Sequence, residues 1–236
     1  MKRPDLFFTR HQSRLVDQLA IAAGTPGIEL MENAALGCVH LLLHANPRSV
    51  VICAGTGNNG GDGFAMAKLL QLHQVQTNLI LVGEKSSIIG DAAMTLQRLD
   101  DLPILEINAS SSAEQLDTAA DLIIGSQEGE WIIDAMLGTG ATGDPRSPCN
   151  EIISYMNVSK ALVMAIDVPS GLDCDTGKPG SPTVNADITC TFVTQKIGFL
   201  ASESKSHLGE VGVIDIGVSE EIIKQVANTP PETGKV

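Results

Sequence analysis

Aromatic side chains are scarce in this sequence. One Trp, one Tyr and five Phe make up 3% of its 236 residues. Any core must therefore be packed mainly by Val, Ile, Leu, Ala and Met. Apolar residues reach 43% of the chain, enough to bury a sizeable interior. Basic charge is short as well: 15 Lys and Arg face 28 Asp and Glu, giving a net charge of -13 and a pI of about 4.6. Such a surface repels nucleic acid and anionic membranes and argues against both as partners. It leaves room for an anionic small molecule, because a loop of backbone N–H donors acts locally. No run of about 18 apolar residues exists to span a membrane. Met1-Lys2-Arg3-Pro4-Asp5 lacks the apolar segment of a signal peptide. The cysteines are Cys38, Cys53, Cys149, Cys174 and Cys190, odd in number and with no CxxC spacing. They read as reduced, buried small hydrophobes in a cytoplasmic protein, against a disulfide framework or a zinc site.

What the sequence has instead is glycine, 23 residues of it, gathered in short clusters that suggest backbone held close to a ligand. Around those clusters the pattern alternates. Thr9-Arg10-His11-Gln12 has the form of a capping box, and Gly24 marks the stop of the helix that follows it. Thr25-Pro26 opens a second helix to about Leu43, with Pro at the first helical position. Apolar runs at Ser49–Ala54, Asn78–Gly83, Pro103–Ile107, Trp131–Leu137 and Ala161–Ile166 read as buried strands. Helices are expected between them over Gly61–Gln74, Asp91–Leu99, weakly over Ala113–Ala120, and from Ser147-Pro148 to about Tyr155. Asp187–Val193 and Val211–Ile216 are late strands, and Asn228–Val236 reads as a loose tail. Continuous apolar strands alternating with helices predict an α/β fold, Rossmann-like, in three α/β/α layers around a mostly parallel sheet. No linker or repeat divides the chain, which predicts one domain with a core over about 9–226.

In such a sheet, ligands bind beyond the carboxyl ends of the strands. Four of those ends carry unusual chemistry. Gly55-Thr56-Gly57-Asn58-Asn59-Gly60-Gly61-Asp62-Gly63 contains GxGxxG between a strand and a helix, the setting in which backbone N–H groups approach a pyrophosphate. Asp134 is a carboxylate inside an apolar strand and needs a partner. Gly138-Thr139-Gly140-Ala141-Thr142-Gly143-Asp144 forms a second donor-rich loop. Asp167 stands at the tip of the fifth strand, with Ser170 in the following turn. Asp62, Asp134 and Asp167 are expected to converge on one cleft. There, either one of them holds a proton as a general acid, or a bound cation neutralises them with Asn and Ser oxygens in its shell. Lys196 reads either as a solvated lysine or as a group reaching the same edge. His11, His40, His44 and His73 fall on helices and read as surface or half-buried. His207 falls in a loop with no visible partner.

The stretches Leu30-Met31-Glu32-Asn33-Ala34, Gly57–Gly63, Asp134–Gly140 and Ile166–Leu172, with Asp175-Thr176-Gly177, Lys196-Ile197-Gly198 and Asp215-Ile216-Gly217, occur in one order from about Thr9 to Gly217. In this the sequence resembles the NAD(P)H-hydrate epimerases, whose domain also forms the N-terminal half of bifunctional nicotinamide-repair proteins. Ala35 stands where that family usually has Gly, and Gln195 where a Pro often precedes the Lys. The resemblance implies a Rossmann-like fold and a homodimer. It implies contact of Asn58, Asn59, Gly60, Gly61 and Asp62, of Gly138 through Asp144, and of Asp167 with NADHX or NADPHX as substrate. It implies a potassium ion near Asn59, Asp134 and Ser170. A separate ADP- or ATP-dependent dehydratase would complete the repair.

On this reading the catalytic residues are Asp167 as acid/base, Asp134 shaping the field, and Lys196. Two other classes compete. A nicotinamide-dependent dehydrogenase would use Glu84, roughly 20 residues past the glycine-rich loop, to bind a ribose. A non-catalytic nucleotide- or protein-binding module would have no need of the carboxylates.

Overall fold

The apolar runs become strands because both of their faces are covered by helices. The computed structural model describes residues 6–99 and 102–229. In chain order the elements are β1 (Phe7–Phe8), α1 (Arg10–Ala22), α2 (Gly27–His44), β2 (Ser49–Ala54), α3 (Asn58–Leu72), β3 (Gln76–Val82), α4 (Gly90–Gln97), β4 (Ile104–Ile107), α5 (Ala113–Ile124), β5 (Trp131–Ala135), α6 (Cys149–Val158), β6 (Leu162–Ile166), β7 (Ile188–Phe192), β8 (Gln195–Lys196), α7 (Lys205–Leu208), β9 (Glu210–Ile214) and α8 (Glu220–Ala227). Seven strands form one sheet in the order β4-β3-β2-β5-β6-β7-β9, and every neighbouring pair in it is parallel. Alternate side chains of one strand serve opposite cores. Val50, Ile52 and Ala54 meet α2 and α3 on one face, while Val51 and Cys53 share the other with α5 and α6. This is the three-layer α/β/α arrangement expected.

The sheet grows outward from β2 to β4 and then returns beside β2 with β5. The point where the order reverses lies between the carboxyl ends of β2 and β5, where open α/β sheets leave a crevice. Both glycine-rich loops emerge there. A third cluster places the N-terminal segment on the same side. Phe8, Val16 and Ala20 pack with Leu30, Ala34, Val193, Ile216 and the α8 residues Ile223 and Val226.

Several elements depart from the expectations. Helix α3 starts at Asn58 rather than Gly61, so the asparagines and glycines read as a loop are its first turns. Glycine's poor helix propensity hides such a start. Pro26 is the N-cap of α2 and not its first helical residue. The weak helix near Ala113 runs to Ile124 behind a complete capping box of Ser112 and Gln115. The pair β1 and β8 and helix α8 went unread: two-residue strands carry no period, and α8 follows the last recognisable motif. Of the supposed tail, residues 230–236 lie outside the described residues. Asn228 caps α8, and the Thr229 carbonyl accepts a 3.4 Å hydrogen bond from Gln12 Nε2. His207 falls on α7, with Nδ1 3.2 Å from the Val184 carbonyl. Cys38, Cys53, Cys174 and Cys190 are free and buried and Cys149 is half-buried, as expected. No helix among the described residues is long and apolar enough to cross a membrane.

Candidate active site

Strand β6 ends at Ile166, and the next residue leaves ordinary backbone space. Asp167 has a φ of 65°, and Val168 N–H donates to the Ile166 carbonyl across it at 2.8 Å. A three-residue turn with a left-handed centre is a rare and strained one, and such strain clusters at functional sites. Strand β7 ends the same way: Val193 has a φ of 64°, and Thr194 N–H reaches the Phe192 carbonyl at 2.7 Å. The second turn brings the chain to Lys196. Its ammonium lies 2.9 Å from Asp167 Oδ1, 3.3 Å from the Phe192 carbonyl and 3.5 Å from that of Thr194. Lys196 is only 2% exposed, so of its two readings the solvated one is excluded. Asp167 Oδ2 accepts from Thr139 N–H at 3.0 Å, tying the end of β6 to the second glycine-rich loop.

These groups line a cavity of about 630 Å³ at the reversal point, within the range of small-molecule sites. Its wall includes Gly55 through Asn59 and Asp62 from the first loop, Gly138 through Ala141 from the second, Asp167, Lys196, and from α1 Ser13, Arg14 and Asp17. Gly138 stands where any side chain would intrude: a Cβ there would lie 3.1 Å from Asp167 Oδ2 and 3.3 Å from Asn59 Cβ. Helix α3 points its N-terminus into this space with no side-chain cap, leaving first-turn N–H groups for a ligand anion. Asp62, one turn further in, is buried. Burial pushes its carboxyl well above the ordinary value, and Asp167 and Asp17 add to the rise.

Asp134 does not join Asp62 and Asp167 at the surface of the cleft as expected. It is fully buried behind the wall, where Ser170 Oγ donates to Oδ1 at 2.6 Å and Ser170 N–H to Oδ2 at 2.7 Å. Burial raises its carboxyl to about 6 against the lowering effect of those Ser170 hydrogen bonds and one from Met136 N–H. Ser170 Oγ in turn accepts from Leu137 N–H at 2.9 Å, so Asp134 and Ser170 together pin the start of the second loop. Asn59 spans to the same loop by donating Nδ2 to the Leu137 carbonyl at 3.1 Å, while its buried Oδ1 has no hydrogen-bond partner among the described residues. Gly60 and Gly61 lie under the cavity wall. Thr142, Gly143 and Asp144 are exposed beyond it, Asp144 Oδ1 accepting from Ser181 N–H at 3.0 Å. Glu84 is exposed and absent from the lining, so the acid that favoured a dehydrogenase has no place in this site.

Among the lining residues that escaped the sequence reading are Arg14 and Asp17. Both are on α1, which looked like an ordinary amphipathic helix. Its placement comes from contacts invisible in sequence: β1 pairs in parallel with β8, register Phe8 to Lys196, and Arg10 binds Asp173 at 3.0 Å.

The fold and site define a doubly wound parallel α/β protein with an acidic, glycine-walled ligand cavity at its reversal point. Residues 27–198 match the family described as YjeF-related protein N-terminus, and the chain belongs to that family. It is 40% identical over 227 residues to the NAD(P)H-hydrate epimerase of Pirellula staleyi, spanning 94% of this chain and 97% of that one. It is 35% identical over 221 residues to the NAD(P)H-hydrate epimerase of Rhodopirellula baltica, spanning 92% and 86%. It is also 30% identical over 225 residues to the bifunctional NAD(P)H-hydrate repair enzyme Nnr of Coxiella burnetii, spanning 94% of this chain but 43% of that protein. The crystal structure of yeast ynu0, YNL200c, shares the fold, with a TM-score of 0.75 over 98% of this chain and 97% of that one at 18% identity.

Proposed function

We propose that this chain epimerises the R and S forms of hydrated NADH and NADPH at C6 of the reduced nicotinamide ring, so that an S-specific dehydratase can use both. One observation carries the reading: three motifs distant in sequence meet at one cavity, where Asp167 is held between Lys196 and Thr139 N–H beside an uncapped helix N-terminus. The match over most of both chains to proteins named NAD(P)H-hydrate epimerase supports it.

C6 of the substrate is a carbinolamine carbon. Its configuration inverts by loss and return of water, or by ring opening and closure, and either route moves a proton onto one oxygen and off another. Asp167 is the group placed to carry that proton. Thr139 N–H and Lys196 fix its two oxygens, and Lys196 balances its charge. Asn59, Gly138 and Thr139 hold the ring against it, and the first turn of α3 takes up substrate phosphate. Asp134 acts from behind, as a positioning residue for the second loop.

A potassium ion fits the donors present. Among the described residues Asn59 Oδ1 is a buried acceptor without a donor, and the groups of Asp134 and Ser170 are oxygen ligands of the kind a hard cation takes. Among the described residues no cluster of three His, Cys, Asp or Glu offers a transition-metal site. Asn59, Asp134 and Ser170 would hold the ion, and its charge would offset the carboxylates around the substrate. A homodimer, action in the cytoplasm and a separate ADP- or ATP-dependent dehydratase as functional partner complete the proposal.

The test is a coupled assay. A mixture of R and S NADHX is treated with an S-specific dehydratase and its nucleotide, and NADH recovery is followed by absorbance. With this protein present, recovery is expected to pass rapidly from about half to complete, and Asp167→Asn is expected to lower the epimerisation rate by about 10²–10⁴-fold. Full activity in Asp167→Asn would reject Asp167 as the proton carrier. No effect of the wild-type protein, with potassium supplied, would reject the function.

A further inference from the structure

The cavity is poor in positive charge for a site that takes a dinucleotide. Four carboxylates line it, from Asp17, Asp62, Asp91 and Asp167, against two cations, Arg14 and Lys196. Lys196 is buried and committed to Asp167 at 2.9 Å, so its charge is spent inside the wall. Arg14 differs in every respect. It is exposed at the rim, and among the described residues it has no hydrogen-bond or ion-pair partner. Its guanidinium stands 3.8 Å from where a Cβ of Gly140 would be, alongside the second glycine-rich loop. Gly140 has no side chain, so only the loop backbone faces the guanidinium there.

We propose that Arg14 is a substrate-binding residue that engages a phosphate of the dinucleotide at the rim of the cavity, beside the Gly138–Ala141 loop. The proposal rests on the epimerase reading for its substrate. Its physical basis is local. A protein of net charge -13 repels an anion at long range, and the cavity's own carboxylates add to that. Backbone N–H groups supply partial charge only. An unpaired guanidinium supplies a full one, in a planar fork that matches two phosphate oxygens. The helix that carries Arg14 is fastened at its start by the Thr9–Gln12 capping box and by the Arg10 pair with Asp173. The phosphate has two possible sources: the pyrophosphate common to both substrates, or the 2′-phosphate present only in NADPHX.

Steady-state kinetics of wild type, Arg14→Gln and Arg14→Lys with each substrate tests this, with thermal melts to establish that the variants are folded. Arg14→Gln is expected to raise KM about 10-fold or more, with a smaller change in kcat, and Arg14→Lys to give an intermediate KM because charge survives without the fork. A rise with both substrates assigns the pyrophosphate, and a rise confined to NADPHX assigns the 2′-phosphate. An unchanged KM with both, in a folded variant, overturns the proposal while the activity of the wild type leaves the epimerase reading standing. If the wild type itself fails to epimerise, binding of inorganic pyrophosphate to wild type and Arg14→Gln decides the matter: weaker binding by the variant supports an anion site at Arg14, and equal binding overturns it.

Discussion

The Asp17 carboxyl is pushed up to about 6, first by loss of solvation among the cavity walls and then by the charge of Asp167, with Lys196 pulling the other way. Asp17 is nevertheless an exposed residue, and solvent screening reduces the energy involved. Asp62 on α3 faces the same space, and its carboxyl is raised by burial first, then by Asp167 and Asp17. Because the folded-state value exceeds the ordinary 3.8, the folded protein binds this proton more tightly than the unfolded chain does. The group therefore costs nothing well below pH 3.8, and its destabilising effect grows as pH rises to about 6 and then levels off. Asp17→Asn, with similar volume and no charge, is expected to raise Tm at about pH 8 by about 1–2 °C and to leave it unchanged at about pH 3. A gain of the same size at both values would mean that packing, not charge, is responsible.

At the scale of elements, α3 shows packing overruling local preference. Its first turns read Asn58-Asn59-Gly60-Gly61-Asp62-Gly63, a sequence that disfavours helix. The glycines are there because the helix lies hard against its surroundings. A Cβ at Gly60 would run into the Gly55 carbonyl oxygen, and one at Gly63 would come within 2.8 Å of Ala135 Cβ. The two effects oppose each other in Gly60→Ala: helix propensity favours Ala by about 1 kcal/mol, while overpacking against backbone costs more. The expected net result is a destabilisation of about 1–3 kcal/mol in urea unfolding. A more stable variant would show that the α3 start is looser than the structure has it.

At the scale of the whole molecule, charge governs association. The net charge of -13 at pH 7 keeps copies of the chain apart beyond any specific interface, and it vanishes near pH 4.6. Light scattering across pH is expected to show least solubility and most non-specific association close to that value, with recovery on returning to pH 7. A scattering maximum well away from it would point to unfolding rather than lost repulsion.

The sequence by itself determined the layered α/β fold, because strands buried on both faces must be continuously apolar and their helices must be amphipathic or small-sided. It also marked Asn59, Asp62, Gly138, Asp167 and Lys196, since carboxylates and glycines at strand ends are costly to a fold that has no use for them. Only the tertiary structure decided the rest. It set Asp134 and Ser170 behind the cavity wall as the pin of a loop, because depth within a sheet is not written in a strand's composition. It buried Lys196 against Asp167 across two adjacent strained turns. It swung α1 over the cleft through the pairing of β1 with β8, bringing Arg14 and Asp17 to the site across more than a hundred residues of chain, a distance that no local pattern of side chains can report.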